Sequence, residues 1–194
     1  MVRPREFDRD AALASAMTLF RQKGFAATST DDLLKAMGIG RQSMYNAFGD
    51  KWQLYLEVLR TYQQNMLGAH LTRLNGKASP LEGIRDLLNG LVPADDALRK
   101  LGCLGVSAVG EFGTSEAELG KLAQTVSQAL GARLAERIRE GQAMGEIDAR
   151  IDAVEGAAFV QTTMTGFQVA ARAGAGVADM RRLADFVVGR LAAS

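Results

Sequence analysis

The sequence predicts an all-α protein, and three observations lead to that fold class. Alanine and leucine, both strong helix formers, occur 31 and 23 times in 194 residues, against 12 valines and 5 isoleucines. Proline, which breaks helices, occurs only 3 times. Apolar residues recur at intervals of three and four along most of the chain, as they do on one face of a helix. With 47% hydrophobic and 23% charged residues, the chain is able to bury a core.

The first predicted helix covers about residues 10–23. Leu13, Met17 and Phe20 lie at spacings of four and three and form one apolar stripe. Gly24 follows two basic residues, which is the usual end of a helix.

Two short helices are predicted next, joined by a Gly-Ile-Gly turn. Ser29 is placed to cap the first of them, with Asp32 at the position of a capping-box acid. Gly38 ends this helix, and the second covers residues 41–48. A capped short helix, a glycine-containing turn and a second short helix are typical of a helix-turn-helix. A longer amphipathic helix follows to about residue 74.

The rest of the chain is also predicted to be helical, after a loop at residues 75–80. Further helices are expected at 81–92, 101–113, 115–141, 151–173 and 177–192. Several glycines, among them Gly83 and Gly156, fall inside these helices, where each costs about 0.5–1 kcal/mol relative to alanine. Close packing between helices would explain them.

Composition excludes several chemistries. Cys103 is the single cysteine and His70 the single histidine, so neither an internal disulfide nor a metal site built from Cys and His is expected. The N-terminus lacks the apolar segment of a signal peptide, and no apolar run approaches the roughly 18 residues of a membrane span. We therefore expect a cytoplasmic protein without metal or cofactor. The net charge of +1 does not by itself indicate nucleic-acid binding.

Several motifs lie between residues 19 and 51. They are the Leu-Phe-x-x-Lys-Gly-Phe run at 19–25, the Tyr-x-x-Phe pair of Tyr45 and Phe48, and Lys51 at the start of the next helix. Together they resemble the DNA-binding domain of the TetR family of transcriptional repressors, and the resemblance covers about residues 7–60 closely. The sequence departs from the family pattern at Gly40, where a hydroxyl residue usually stands, and at Ala47, which is often histidine.

The resemblance implies two domains and three partners. Residues 6–66 would form a three-helix DNA-binding domain, with the helix-turn-helix at about 29–48, and residues 67–194 a helical ligand-binding and dimerisation domain. The partners would be a double-stranded DNA operator, a small-molecule effector and a second copy of the chain, bound through the last two helices. Small residues in those helices would allow close approach: Gly156, Ala157, Ala158, Ala170, Ala171, Ala173 and Ala184.

Polar residues of the second short helix are predicted to contact DNA bases in the major groove. The base-reading candidates are Arg41, Gln42, Ser43 and Asn46, since arginine pairs with guanine and the amides with adenine. The phosphate-binding candidates are Ser29, Thr30, Tyr45 and Lys51. Arg3 and Arg5 are expected to add phosphate or minor-groove contacts.

The candidate effector-binding residues are apolar or soft side chains of the later helices: Leu87, Leu91, Cys103, Val106, Phe112, Phe159, Met164 and Phe167. Each of them is also suited to plain core packing. Cys103 lies near a helix N-terminus, where a thiol is either activated or buried and inert. His70 is expected to be an ordinary, partly buried histidine.

These observations favour a ligand-responsive, DNA-binding transcriptional regulator that acts as a dimeric repressor on a palindromic operator and is released by a small apolar effector. An alternative is a helical ligand-binding or protein-interaction module with a degenerate helix-turn-helix. This alternative stays open because Gly40 and Ala47 depart from the family pattern. An enzyme is not expected, because the chain has no Glu-x-x-His motif, no phosphate-binding glycine loop and no plausible Cys-His dyad.

Overall fold

The computed structural model describes residues 7–193, and most of these residues are helical. Within this range the helices are α1 (Arg9–Lys23), α2 (Thr30–Met37), α3 (Arg41–Phe48), α4 (Lys51–Asn75), α5 (Pro80–Asn89), α6 (Asp96–Leu101), α7 (Leu104–Phe112), α8 (Ala117–Ala143), α9 (Ala153–Arg172) and α10 (Val177–Leu191). One isolated antiparallel bridge joins Ile147 and Ala192. The predicted all-α class is confirmed. Over residues 7–193, no helix is long and apolar enough to cross a membrane.

The helix predicted over residues 101–113 is observed as α7, which begins three residues later, at Leu104. The short helix α6 before it was not predicted. Its N-cap is Asp95, whose carboxylate accepts the N–H of Leu98 at 2.9 Å. Gly102, with a φ of +65°, ends α6, so the chain turns before α7 begins.

The chain divides into two compact units. The first contains the described residues up to Gln63 together with Cys103–Leu119, and the second contains Gln64–Gly102 and the residues from Gly120 onward. Helix α4 contributes residues to both units. Helix α7 therefore belongs to the unit that contains α2 and α3, although it lies far from them in sequence.

The core of the first unit is formed by apolar side chains of α1 to α4 and α7. Phe20, Leu33, Met44 and Leu54 are fully buried, and the rings of Phe20 and Tyr55 lie edge to face at 5.0 Å. Phe20 and Leu13 belong to the apolar stripe predicted for the first helix, and both are buried.

Arg9 ties three helices of the first unit together. Its guanidinium donates to the Glu57 carboxylate on α4 at 2.6 and 2.8 Å and to the Ala47 carbonyl on α3 at 3.2 Å. The same group lies 4.5 Å from the centre of the Phe48 ring. Arg9 therefore orients α3 against α1 and α4.

The second unit has its own, larger hydrophobic core. Its members include Leu74, Ile84, Leu87, Leu88, Leu134, Ile138, Val160 and Phe167, all fully or almost fully buried. They come from α4, α5, α8 and α9, and α10 completes the core with Met180, Ala184, Val187, Val188 and Leu191. An ion pair between Arg85 of α5 and Asp185 of α10 lies at its edge.

Close helix packing explains some of the helical glycines. A Cβ atom added to Gly83 of α5 would lie 2.3 Å from the Leu74 carbonyl oxygen of α4, and one added to Gly156 would lie 3.0 Å from the Ile138 side chain. By contrast, a Cβ added to Gly68 of α4 would meet nothing within 4 Å. Gly83 is therefore required by packing, whereas Gly68 is not.

We predict that Gly83→Ala lowers the free energy of unfolding by about 1–3 kcal/mol, because the new methyl group meets backbone that cannot easily move. The matched change Gly68→Ala should raise it by about 0.5–1 kcal/mol, because alanine favours the helix and has room. Urea unfolding at one fixed protein concentration measures both. Equal stability of Gly83→Ala and the unmodified chain would contradict this packing.

Candidate nucleic-acid interface

Helix α2 begins with the capping box that the sequence predicted. The Ser29 hydroxyl accepts the N–H of Asp32 at 3.0 Å, and the Asp32 carboxylate accepts the N–H of Ser29 at 3.2 Å. The ammonium group of Lys23, in the last turn of α1, lies 3.1 Å from the same carboxylate. Lys23 first, and then these contacts with Ser29, lower the pKa of Asp32. The start of α2 is thereby attached to the end of α1.

Helix α3 presents polar residues on its outer face. Met44 and Phe48 are buried, while Arg41, Gln42 and Asn46 are exposed. Ser43 is partly buried and Tyr45 is 45% exposed. The N-cap residue Gly40 makes no side-chain hydrogen bond, as expected for a residue without a hydroxyl. Four of the five polar side chains of α3 are therefore accessible to a partner.

Three of the exposed polar side chains of α3 are already paired with close neighbours. The Gln42 amide donates to the Asn46 side-chain oxygen at 2.9 Å. In this orientation Gln42 retains an acceptor oxygen and Asn46 retains an NH₂ donor, the two groups that complement the edge of adenine. Arg41 forms an ion pair of 2.7 Å with Asp31 of α2, and both side chains are more than half exposed. Such exposed pairs contribute at most about 1 kcal/mol, so Arg41 can exchange Asp31 for another partner at low cost.

The other predicted DNA contacts lie at helix starts. Ser29 and Thr30 are the N-cap and first residue of α2, and Lys51 is the first residue of α4. The Lys51 ammonium lies 4.1 Å from the centre of the Phe25 ring. Arg3 and Arg5 lie outside the described residues.

The candidate effector residues fall in different parts of the chain. Leu87, Leu91, Met164 and Phe167 are buried in the core of the second unit, whereas Phe159 of α9 is 42% exposed. The other three, Cys103, Val106 and Phe112, are partly buried and belong to the first unit. Cys103 is the N-cap of α7, beside the Tyr62 hydroxyl.

Two buried polar groups of the second unit were not among the predicted site residues. Nδ1 of His70 and the side-chain oxygen of Asn89 are both buried, and neither has a hydrogen-bond partner among the described residues. Arg73, one turn after His70, has its guanidinium close to Gly90, the neighbour of Asn89. In the sequence His70 stood out only as the single histidine, and no sequence pattern predicted that the side chain of Asn89 is buried.

The small residues predicted to allow close approach in a dimer divide between surface and interior: Ala158 and Ala173 are exposed and Ala170 is partly buried. Gly156, Ala157, Ala171 and Ala184 are buried in the core of their own unit. The exposed large apolar residues of α9 and α10 are Val154, Phe159, Val169, Leu183 and Phe186.

An exposed polar helix, positioned by a capped helix and buried on its other side, defines a helix-turn-helix DNA-binding protein. Among the described residues, no group of three or more His, Cys, Asp and Glu side chains could hold a metal ion. Residues 12–58 match the family model of bacterial regulatory proteins, tetR family, and residues 68–187 match the tetracyclin repressor-like C-terminal domain. The chain belongs to the TetR family of transcriptional regulators.

Known proteins agree with this assignment over nearly the whole chain. The HTH-type transcriptional repressor ComR of Escherichia coli (strain K12) is 31% identical over 94% of this chain and 88% of its own length. The HTH-type transcriptional regulator YezE of Bacillus subtilis (strain 168) is 29% identical over 96% of both chains. A cysteine-substituted variant of the TetR family regulator CifR, solved with 26-bp double-strand operator DNA, has a TM-score of 0.83 at 31% identity, over 97% of this chain and 99% of its own. The alternative of a helical module that no longer reads DNA is therefore not favoured, and nothing in the family assignment points to an enzyme.

His70 gives the second unit a specific pH dependence. Burial first, and the positive charge of Arg73 second, lower the pKa of His70 from 6.5 to about 4. Between these values the unfolded chain binds a proton that the folded chain does not, so stability must fall as the pH falls through this window. The loss amounts to about 3 kcal/mol at most, since one pKa unit corresponds to about 1.4 kcal/mol.

We therefore predict that the free energy of unfolding decreases more steeply between pH 6.5 and pH 4 for the unmodified chain than for His70→Gln. Because His70 is the only histidine, the difference between the two curves reports on this group alone. Urea unfolding at intervals of half a pH unit measures it. Parallel curves would mean that the imidazole is not buried in its neutral form.

Proposed function

We propose that this protein is a homodimeric repressor that acts in the cytoplasm, binds a palindromic operator and is released by a small molecule. The observation that carries the proposal is the exposed polar face of α3, supported from behind by Met44 and Phe48. The relatives named above add support, since one is a repressor and another binds operator DNA. In a two-fold dimer, two copies of α3 would meet successive major grooves about 34–36 Å apart.

The base-reading roles follow from hydrogen-bonding chemistry. Arg41 leaves Asp31 and donates two hydrogen bonds to a guanine, while the Gln42–Asn46 pair reads an adenine. Ser43 lies on the same helix and supplements these contacts. Specificity therefore resides in α3.

The phosphate-binding roles belong to the helix starts on either side. Ser29, Thr30 and Lys51 lie at the first residues of α2 and α4, and Tyr45 extends from α3. The positive ends of the helix dipoles favour phosphate there. These contacts position the protein on DNA without reading its sequence.

The exposed apolar residues of α9 and α10 support a dimer through these helices. Phe159, Leu183 and Phe186 would be covered by the same residues of the second copy, as two-fold symmetry requires. The interface proposed here is thus built mainly from large side chains, because Gly156, Ala157, Ala171 and Ala184 are buried in the internal core.

We place the effector site in the second unit. The apolar residues Leu87, Leu91, Met164 and Phe167 would contact the hydrocarbon part of the molecule, and His70 and Asn89 would bind a polar group on it. The two buried polar atoms without partners support this site, because such atoms are costly unless something binds them. The effector is then a small, mainly apolar molecule with at least one hydrogen-bonding group.

The specific-repressor proposal is tested by titrating the purified protein against a palindromic site from its own promoter, with random DNA of equal length as the competitor and salt varied. Tighter binding to the promoter site at each salt concentration supports the proposal. Equal affinity for both DNAs at every salt concentration contradicts it. Screening small molecules for release of the protein from the same DNA then identifies the effector.

Two substitutions separate base reading from phosphate binding. Arg41→Ala should weaken operator binding by about 1–3 kcal/mol and relax the preference at one guanine. Lys51→Ala should weaken binding to operator and random DNA alike and reduce the salt dependence by about one released ion.

The control for both substitutions is Arg60→Ala, which removes an exposed cation of the same unit outside the helix-turn-helix, and it should leave both affinities within twofold. Uniform weakening by Arg41→Ala, with the base preference unchanged, would contradict its role in base reading.

A further inference from the structure

Helix α7 contacts the loop that leads into the helix-turn-helix. One oxygen of the Glu111 carboxylate accepts the backbone N–H of Phe25 at 2.9 Å, and the other accepts the N–H of Ala26 at 2.5 Å. Phe25 and Ala26 lie between α1 and α2. A single side chain, 85 residues away in sequence, thus satisfies two successive N–H groups of this loop.

The contacted loop determines where α2 starts. Gly24 opens the loop with a φ of +78°, and a Cβ atom added there would lie 3.2 Å from a Glu111 carboxylate oxygen. The buried Thr28 closes the loop, with its hydroxyl donating to the Gly24 carbonyl at 2.6 Å. Ser29, the cap of α2, follows immediately. A change in the position of residues 24–28 therefore moves the start of α2.

The residue next to Glu111 adds an apolar contact to the same loop. The Phe112 ring lies 5.5 Å from the rings of both Phe25 and Trp52 and 5.8 Å from that of Tyr55. Burial, together with the negative charge of Glu111, raises the pKa of Tyr55. The end of α7 thus binds the loop through both a carboxylate and an aromatic ring.

Both ends of the segment that contains α7 continue into the second unit. Residues 103–119 belong to the first unit, but the chain on both sides, up to Gly102 and from Gly120, belongs to the second. The second unit contains the proposed effector site. A rearrangement there is therefore passed through the chain itself to both ends of the segment that carries Glu111.

We propose that Glu111 is a positioning residue that couples the second unit to the helix-turn-helix. With its carboxylate on the N–H groups of Phe25 and Ala26, the α1–α2 loop keeps α2 and α3 in the arrangement that binds the operator. An effector in the second unit withdraws the carboxylate and releases the loop. The effector arm of this inference rests on the proposed function, whereas the contact of Glu111 with the loop does not.

The first test compares the unmodified protein with Glu111→Gln and Glu118→Gln. The glutamine at 111 keeps the size of the side chain but replaces one acceptor oxygen with an NH₂ group, which faces a backbone N–H. Glu118 is an exposed carboxylate of the same segment, 3.6 Å from Arg60, and serves as the control. Affinity for the promoter palindrome is measured by fluorescence anisotropy, and circular dichroism melting checks that each variant is folded.

Glu111→Gln should raise the operator Kd about tenfold, which corresponds to about 1.4 kcal/mol, while Glu118→Gln should stay within twofold. A Kd for Glu111→Gln within twofold of the unmodified protein, or a lower Kd, overturns the proposal. If Glu111→Gln melts below the temperature of the assay, Glu111→Asp replaces it, since its shorter side chain cannot reach both N–H groups and should show the same direction of change.

The second test uses hydrogen exchange of the full-length protein and separates coupling from simple stabilisation. Without DNA, Glu111→Gln should exchange faster at residues 24–27 and unchanged at 12–20. With saturating promoter palindrome, the unmodified protein should gain protection in α7, which contains none of the predicted DNA contacts, because coupling is reciprocal. With the same DNA at saturation, Glu111→Gln should not gain protection in α7.

Equal gain of protection in α7 for both proteins overturns the coupling role. Failure of the unmodified protein to prefer the palindrome instead overturns the proposed repressor function. In that case the exchange of residues 24–27 without DNA still decides whether Glu111 restrains the loop, and unchanged exchange there in Glu111→Gln overturns the inference.

Discussion

The helix-turn-helix of this protein depends on carboxylates that accept backbone N–H groups between α1 and α2. A turn between helices exposes N–H groups that the helices themselves cannot satisfy. Here Asp32 binds the N–H of Ser29, and Glu111 binds those of Phe25 and Ala26. The bond between Asp32 and Ser29 joins residues three apart in sequence, so it can form in a short peptide. Glu111 is distant in sequence, so the loop before the helix-turn-helix is held by a helix from the other half of the chain.

The proposed DNA-binding surface combines a rigid support with weakly held polar groups. Behind α3, Arg9 and the buried Phe48 fix the helix against its neighbours. In front, Arg41 is held only by an exposed ion pair and Gln42 by one hydrogen bond to Asn46. Exposed pairs of this kind contribute little stability. They restrict side-chain freedom before binding and, in the proposed function, are exchanged for base contacts at low cost.

In α9 and α10 of the second unit, several small residues are buried in the core while some large apolar residues are exposed. Several small residues of α9 and α10 are buried inside the unit: Ala184 is fully buried, and a Cβ atom added to Gly156 would lie 3.0 Å from the Ile138 side chain. Large apolar residues such as Phe186 remain exposed on the same helices. Burial of the polar atoms of His70 and Asn89 without hydrogen-bond partners is costly, and this cost supports the proposed effector site in the second unit.

The sequence by itself determined most of the helices, the capping box at Ser29, the exposed polar residues of α3 and the resemblance to the family, because all of these follow from local spacing and local hydrogen bonding. It missed α6, a helix of six residues that ends at Gly102. Only the tertiary structure decided that α7 joins the first unit and that Glu111 binds the α1–α2 loop. It also decided that the side-chain oxygen of Asn89 is buried without a hydrogen-bond partner among the described residues. Each of these depends on contacts between residues distant in the chain, and hydrophobic periodicity carries no information about which distant segments meet.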